Sequence, residues 1–167
     1  MNTVTSPHAT FDELLQRTLY CSRYAKRVLE TDHHLLKWLQ ESYTSACRRE
    51  EMQDLLQESG LDPEDETGLA QALRKLRKQV MVRLILRDLN GLAGLDEIMQ
   101  TMTALAEVCV QRAQACLMLA LHAQFGSPRG EESAIEQELL VVAMGKLGGG
   151  ELNVSSDIDL IFVYPED

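Results

Sequence analysis

Two aspartates, Asp157 and Asp159, lie at the head of a short apolar run that predicts a β-strand. Because residues two apart on a strand point to the same side, both carboxylates are expected to project together. Aspartate is disfavoured in strands, and two like charges side by side repel unless a cation neutralises them. Magnesium prefers hard oxygen ligands from one or two carboxylates together with substrate phosphates. The pair therefore predicts a magnesium site.

A glycine-rich stretch, Gly145 to Asn153, precedes the aspartates. Its three successive glycines, Gly148 to Gly150, leave the backbone uncovered by side chains, so a phosphate chain could approach it at the start of a short helix. A plain tight turn between two strands is the alternative interpretation. The stretch is not a P-loop, because Leu147 stands where that motif needs Ser or Thr. Ser155 and Ser156 could bond a phosphate or orient Asp157, and a structural turn bond is an equal alternative.

Two apolar runs flank this stretch and predict the strands that hold it. Glu138 to Met144 is expected to form a strand buried on both faces, and Ile158 to Tyr164 a second strand that Pro165 ends. Upstream, the residues from Ser127 to Glu132 are rich in Gly, Pro, Ser and charge and predict a linker. The predicted organisation is a helical region over residues 1–126, a linker over 127–137 and the start of a catalytic domain over 138–167.

The helical region opens with a capping box, in which Thr10 and Glu13 predict a helix start near Phe11. Thr31-Asp32 offers a break and a new cap, and Gly60 is expected to end the third helical run. The acidic segment from Leu61 to Gly68 predicts a solvated connector.

Two longer helices follow. Apolar residues at steps of three and four from Leu69 predict a helix ending near Asn90-Gly91. Its other faces carry six basic residues, Arg74, Lys75, Arg77, Lys78, Arg83 and Arg87. These are expected to form a solvated face with scattered ion pairs. The alternative is that they bind a phosphate or an acidic partner. The last helix has a coiled-coil-like seam and stops at Gly126 and Pro128. The seam consists of Ile98, Met102, Leu105, Cys109, Ala113, Cys116 and Ala120.

The composition limits the function classes. The formal net charge of -10 over 167 residues argues against nucleic acid as the main partner. The four cysteines show no metal-binding spacing and are expected to be buried free thiols. No apolar run approaches the roughly 20 residues needed to span a bilayer, and Met1 to Thr10 does not resemble a signal peptide. We expect no membrane partner and a cytoplasmic location.

The stretch from Gly145 to Phe162 resembles the signature of bifunctional glutamine synthetase adenylyltransferase/adenylyl-removing enzymes, members of the nucleotidyltransferase superfamily. The resemblance rests on Gly-Lys-Leu-Gly-Gly joined to Glu-Leu-Asn and Ser-Ser-Asp-x-Asp-Leu. Weaker similarity extends over most of the chain. It implies a mainly α fold, in which the helical region precedes the first two strands of an incomplete α/β nucleotidyltransferase domain. The Gly-Gly-Gly-Glu-Leu-Asn form is similar to the amino-terminal, adenylyl-removing half.

The resemblance also implies roles for residues. Asp157 and Asp159 would be the magnesium ligands and catalytic residues, Gly149 and Gly150 would approach the phosphates, and Ser156 would support the pair. Inorganic phosphate would attack an adenylylated tyrosine of glutamine synthetase and release ADP. A third carboxylate lies on a later strand in that superfamily, so the chain alone is expected to be inactive.

Alternatives remain open from the sequence. Within the same chemistry, the chain could belong to the attaching half or to another protein-modifying nucleotidyltransferase. In a different class, the helical region could be a non-enzymatic module that docks a regulatory protein such as the PII signalling protein. The partners expected in the first case are glutamine synthetase, an adenine nucleotide and phosphate.

Overall fold

The computed structural model describes residues 9–60 and 65–166. Within them the chain is mostly helical and ends in a small sheet, as the sequence predicts. The elements are α1 Phe11–Cys21, α2 Arg23–Thr31, α3 His33–Ser42, α4 Arg49–Gln57, α5 Glu66–Leu89, α6 Leu95–Phe125, β1 Leu140–Ala143, α7 Gly145–Gly148 and β2 Leu160–Val163. Residues 1–8, which do not resemble a signal peptide in sequence, and residues 61–64 of the predicted acidic connector lie outside the described part.

Local capping signals set the first helices. The Thr10 N–H donates to Glu13 Oε2 at 2.8 Å and the Glu13 N–H donates to Thr10 Oγ1 at 3.4 Å, so the predicted capping box is confirmed. Asp32 caps α3 by accepting the Leu35 N–H at 2.9 Å, also as predicted. The sequence did not predict the break at Ser22, whose hydroxyl accepts the Ala25 N–H at 3.1 Å and starts α2.

Helix α5 is the centre of the helical region. On one side Val82 and Leu86 pack in a core cluster with residues of α1, α2 and α3. On another side Leu76, Val80 and Leu84 pack in a second cluster with residues of α4 and α6. Because α5 supplies apolar residues to both clusters, it joins the short helices to the long helix α6.

Two arginines of α5 are buried and do not lie on the solvated basic face that the sequence predicts. Arg83 and Arg87 are only 1% and 7% exposed. Arg83 donates to Glu51 at 2.5 Å, and the Arg87 Nε–H donates to Glu97 at 2.6 Å. Both arginines also donate to backbone carbonyls of the loop after α3, including that of Tyr43. The prediction was wrong at these two positions because each guanidinium finds a carboxylate and carbonyl partners from other elements.

Helix α6 is buried unevenly along its length. Its seam is buried at Met102, Leu105 and Cys116, while Cys109, Ala113 and Ala120 are half-buried. Exposed apolar residues follow towards its end, at Leu117, Leu119, Leu121 and Phe125. The helix stops at Gly126, as predicted, with φ of 80°.

The sequence prediction that no apolar stretch is long enough to span a bilayer is wrong for α6. By length and composition alone α6 could cross a membrane, and 17% of its most apolar 18-residue stretch is buried. A core helix of a globular protein can have the same length and composition, and the first half of α6 lies in the core cluster with α4 and α5.

The prediction that all four cysteines are buried needs one correction, because Cys21 is exposed whereas Cys47 and Cys116 are buried.

The predicted linker has internal structure. Arg129 and Glu136 form an isolated antiparallel bridge, and the turn between them donates its Glu132 and Ser133 N–H groups to the Glu166 carboxylate at 2.7 and 2.8 Å. The Ser133 hydroxyl also donates to this carboxylate, and these bonds hold the pKa of Glu166 below its ordinary value. The turn is therefore tied to the segment that follows β2.

Candidate active site

The site is built on a two-stranded antiparallel sheet. Strand β1 pairs with β2, with Leu140 opposite Val163 and Ala143 opposite Leu160. Both strands are shorter than the predicted apolar runs. The prediction that the first strand is buried on both faces is wrong for the described chain, because Leu140 and Val142 are 48% and 45% exposed. Within that part of the chain, β2 is the only strand that pairs with β1.

The glycines shape the connection between the strands. Gly145, with φ of 55°, begins the single-turn helix α7 directly after β1, and Gly150 has φ of 72°. A Cβ on Gly148 would lie 2.4 Å from the Ala143 carbonyl oxygen, so only glycine lets α7 return this close to β1. Helix α7 is thereby held against the end of the strand.

The two glycines predicted to approach phosphates use their amides within the turn. The Gly149 N–H donates to the Gly145 carbonyl at 3.0 Å, and the Gly150 N–H donates to the Leu147 carbonyl at 3.1 Å. Both glycines are exposed. A phosphate could therefore approach these positions because glycine has no side chain to block it, and not because their N–H groups are free.

The aspartate pair was expected at the head of the second strand but lies just before it, in residues that belong to no helix or strand, because β2 begins at Leu160. The Met144 N–H donates to the Asp159 carbonyl at 2.9 Å, so the pairing of the two strands continues to this residue. A Cβ on Gly145 would lie 3.7 Å from Asp159 Oδ2, which places this carboxylate beside the first residue of α7. Both Asp157 and Asp159 are exposed, and neither carboxylate bonds to another side chain or backbone N–H of the described residues.

A lysine that the sequence did not single out joins the site. Lys146 Nζ lies 3.5 Å from the Ser156 hydroxyl, next in sequence to Asp157. Ser155 instead bonds through its N–H and hydroxyl to Asn153 Oδ1, at 3.0 and 3.1 Å. Both serines take part in the turn, since the Ser156 N–H donates to the Asn153 carbonyl at 3.2 Å. The Ser156 hydroxyl in addition faces Lys146, the only cation within the Gly145–Leu160 motif. The signal that could have identified Lys146 is that it is the motif's one basic residue.

Apolar anchors fix this assembly on the helices. Leu147 and Leu152, at either end of the glycine run, are 4% and 2% exposed and belong to the core cluster that contains Met102 and Leu105. The Leu152 N–H donates to Thr103 Oγ1 of α6 at 3.4 Å. Gln114 of α6 also donates to the Leu139 carbonyl, just before β1. The site is thus mounted on one face of α6.

The donor set fits magnesium. Two carboxylates that have no partner in the described chain offer hard oxygen ligands, and an exposed position leaves room for substrate oxygens and water. Within the described residues, no group of three or more His, Cys, Asp or Glu side chains could hold a metal ion. Asp157 and Asp159 are the residues that would hold a magnesium ion, and substrate phosphates and water would have to complete its coordination.

Comparison with known proteins defines the class of protein first. The family model described as glutamate-ammonia ligase adenylyltransferase matches residues 13–167. The chain belongs to this family of adenylyltransferases.

The curated relatives are more particular, since they are named bifunctional glutamine synthetase adenylyltransferase/adenylyl-removing enzyme. Such a protein from Nitrosomonas eutropha is 54% identical over 148 residues, which cover 87% of this chain and 16% of that protein. The Nitrosomonas europaea protein is 52% identical over the same shares. The Chromobacterium violaceum protein is 47% identical over 91% of this chain and 17% of its own length. The chain thus spans about a sixth of the length of these relatives.

Proposed function

We propose that this chain contributes to the adenylyl-removing site of a bifunctional enzyme that regulates glutamine synthetase. The observation that carries the proposal is the exposed pair Asp157 and Asp159, with Asp159 beside Gly145 and with Lys146 at 3.5 Å from the hydroxyl of Ser156, the neighbour of Asp157. The names of the relatives support glutamine synthetase as the protein substrate.

The reaction proposed is phosphorolysis of an adenylylated tyrosine. An oxygen of inorganic phosphate attacks the α-phosphorus of the adenylyl group, the bond from phosphorus to the tyrosine oxygen breaks, and ADP and tyrosine are formed. Asp157 and Asp159 would hold magnesium, which would neutralise the negative charge of the phosphates when bound.

The remaining residues position the substrate. The Lys146 ammonium, 3.5 Å from the Ser156 hydroxyl, is placed to attract the phosphate oxygens and to hold them over the glycine turn. Gly149 and Gly150 keep this surface free of side chains. The Leu147 and Leu152 anchors keep the turn at a fixed distance from the aspartates, which in-line transfer requires.

The test uses the complete parent protein with Asp157→Asn or Asp159→Asn. Asparagine keeps the size but loses the charge needed for metal binding. Magnesium-dependent ADP release from adenylylated glutamine synthetase should fall on the order of 10³-fold, because metal stabilisation of the transition state contributes several kcal/mol. The attachment of AMP from ATP should stay nearly unchanged.

Asp88→Asn is the matched control, since it removes the same charge from an exposed position of α5. It should leave both activities unchanged. If attachment is lost and removal survives, the site belongs to the attaching reaction. If neither activity changes in the Asp157 and Asp159 variants, the assigned metal ligands are wrong.

A further inference from the structure

A cleft of about 760 Å³ opens between α3, α4 and α5. None of its lining residues belongs to the glycine turn, the sheet or the aspartate segment, so the cleft is separate from the candidate active site. A volume of this size is typical of sites that bind small molecules.

One wall of the cleft is cationic. Arg74, Lys75 and Lys78 line it from α5, where steps of one, three and four positions place them on one face of the helix. None of the three forms an ion pair with the residues that the structure describes. The carboxylates of Asp32 and Glu58 also line the cleft. Asp32 already accepts the Leu35 N–H at the start of α3. In a chain of net charge -10, this wall favours an anion.

A polar side chain also lines the cleft. Gln79, whose side chain ends in an amide, is 8% exposed and belongs to the lining residues. This amide can both donate to an anion and accept from a hydroxyl.

The facing wall is apolar and has a planar side chain. Leu35 is buried, and the half-buried Trp38 ring is held by the Arg83 guanidinium at 5.6 Å from its centroid. Both residues line the cleft. A ligand with an apolar or aromatic body could therefore pack here while its charged group meets α5.

We propose that this cleft binds a small organic anion, in which a phosphate or carboxylate group meets Arg74, Lys75 and Lys78 and a planar body packs against Trp38. The Gln79 amide bonds to a polar atom of the same molecule. The site is distinct from the metal site, and the proposal does not depend on the adenylyl-removing function.

The single tryptophan of the chain makes the test specific, because one indole N–H resonance reports on the cleft. The full chain is titrated with phenyl phosphate and observed by two-dimensional NMR. Phenol and inorganic phosphate are titrated separately as the two halves of the probe. The Trp38 resonance should shift saturably with phenyl phosphate, and each half alone should bind at least tenfold more weakly.

Variants distinguish a built site from general charge attraction. Arg74→Gln together with Lys78→Gln should weaken phenyl phosphate binding at least tenfold, and Gln79→Leu should also weaken it. Arg77→Gln is the matched control on the same helix, because Arg77 does not line the cleft; its affinity should stay within twofold. The proposal is overturned if no saturable shift occurs, if the double variant binds as well as the original chain, or if Arg77→Gln weakens binding as much.

Discussion

Leu152→Ala tests whether the catalytic segment is docked on the helices. The Leu152 side chain is 2% exposed and lies in the cluster with Met102, Leu105 and Val108. Burial of a leucine contributes about 1.5–3 kcal/mol, and its truncation in a packed core adds a cavity cost. We expect the free energy of unfolding to fall by about 2–4 kcal/mol.

The assay is urea unfolding of the full chain, followed by the helical circular dichroism signal. Because that signal comes almost entirely from α1 to α6, a shift of its midpoint measures the energy that Leu152 contributes to the helical region. Val154→Ala is the control: Val154 is 39% exposed in the same loop, and its loss should cost about 0.5 kcal/mol or less. If Leu152→Ala leaves the helical transition unchanged, residues 138–167 are a separate unit and the docking on α6 is refuted.

Two further predictions follow from the backbone and from a buried thiol. Gly148→Ala should lower the melting temperature, because the new Cβ would lie 2.4 Å from the Ala143 carbonyl oxygen. Gly149→Ala is the control, since its Cβ meets only ordinary contacts. Thermal melting of both variants checks this prediction. Burial raises the pKa of Cys47 to about 12, so stability should fall as pH rises from 9 towards 12, with a slope of at most about 1.4 kcal/mol per pH unit. Cys47→Ala should reduce this slope in urea titrations, and the part due to Cys109, whose pKa is also raised by burial, should remain. An unchanged slope would contradict the assignment.

The helices could be predicted because their signals are local. The capping box at Thr10, the cap at Asp32 and the left-handed glycines at Gly60 and Gly91 act within a few residues of the chain. The break at Ser22 was missed because apolar residues continue at helical spacing on both sides of it. Its cap involves a serine that the pattern alone does not distinguish from a helical residue.

The burial of Arg83 and Arg87 could not be predicted in the same way. Arg83 pairs with Glu51, 32 positions away, and with carbonyls of the loop after α3. No local pattern records such a partner. A helical periodicity places both arginines on a polar face and gives no reason to bury them.

In the candidate site, residue types and spacing indicated Asp157 and Asp159, and the structure places Asp159 beside α7. The docking of Leu147 and Leu152 on α6 could not be predicted, because Leu152 meets Thr103 across 49 positions. The exposure of β1 was also missed. A continuous apolar run predicts two-sided burial, but in the described chain β2 is the only strand that pairs with β1, and Leu140 and Val142 remain exposed.

The magnesium-site assignment is tested most directly by paramagnetic broadening with Mn²⁺ on the isotope-labelled chain. Manganese replaces magnesium at oxygen ligands and broadens only the resonances close to it. Broadening at low Mn²⁺ should centre on Asp157, Asp159 and Gly145, and Asp157→Asn with Asp159→Asn should abolish it while the resonances of α1 to α6 stay in place. Broadening that centres on other acidic residues, or that persists in the double variant, would contradict the assignment.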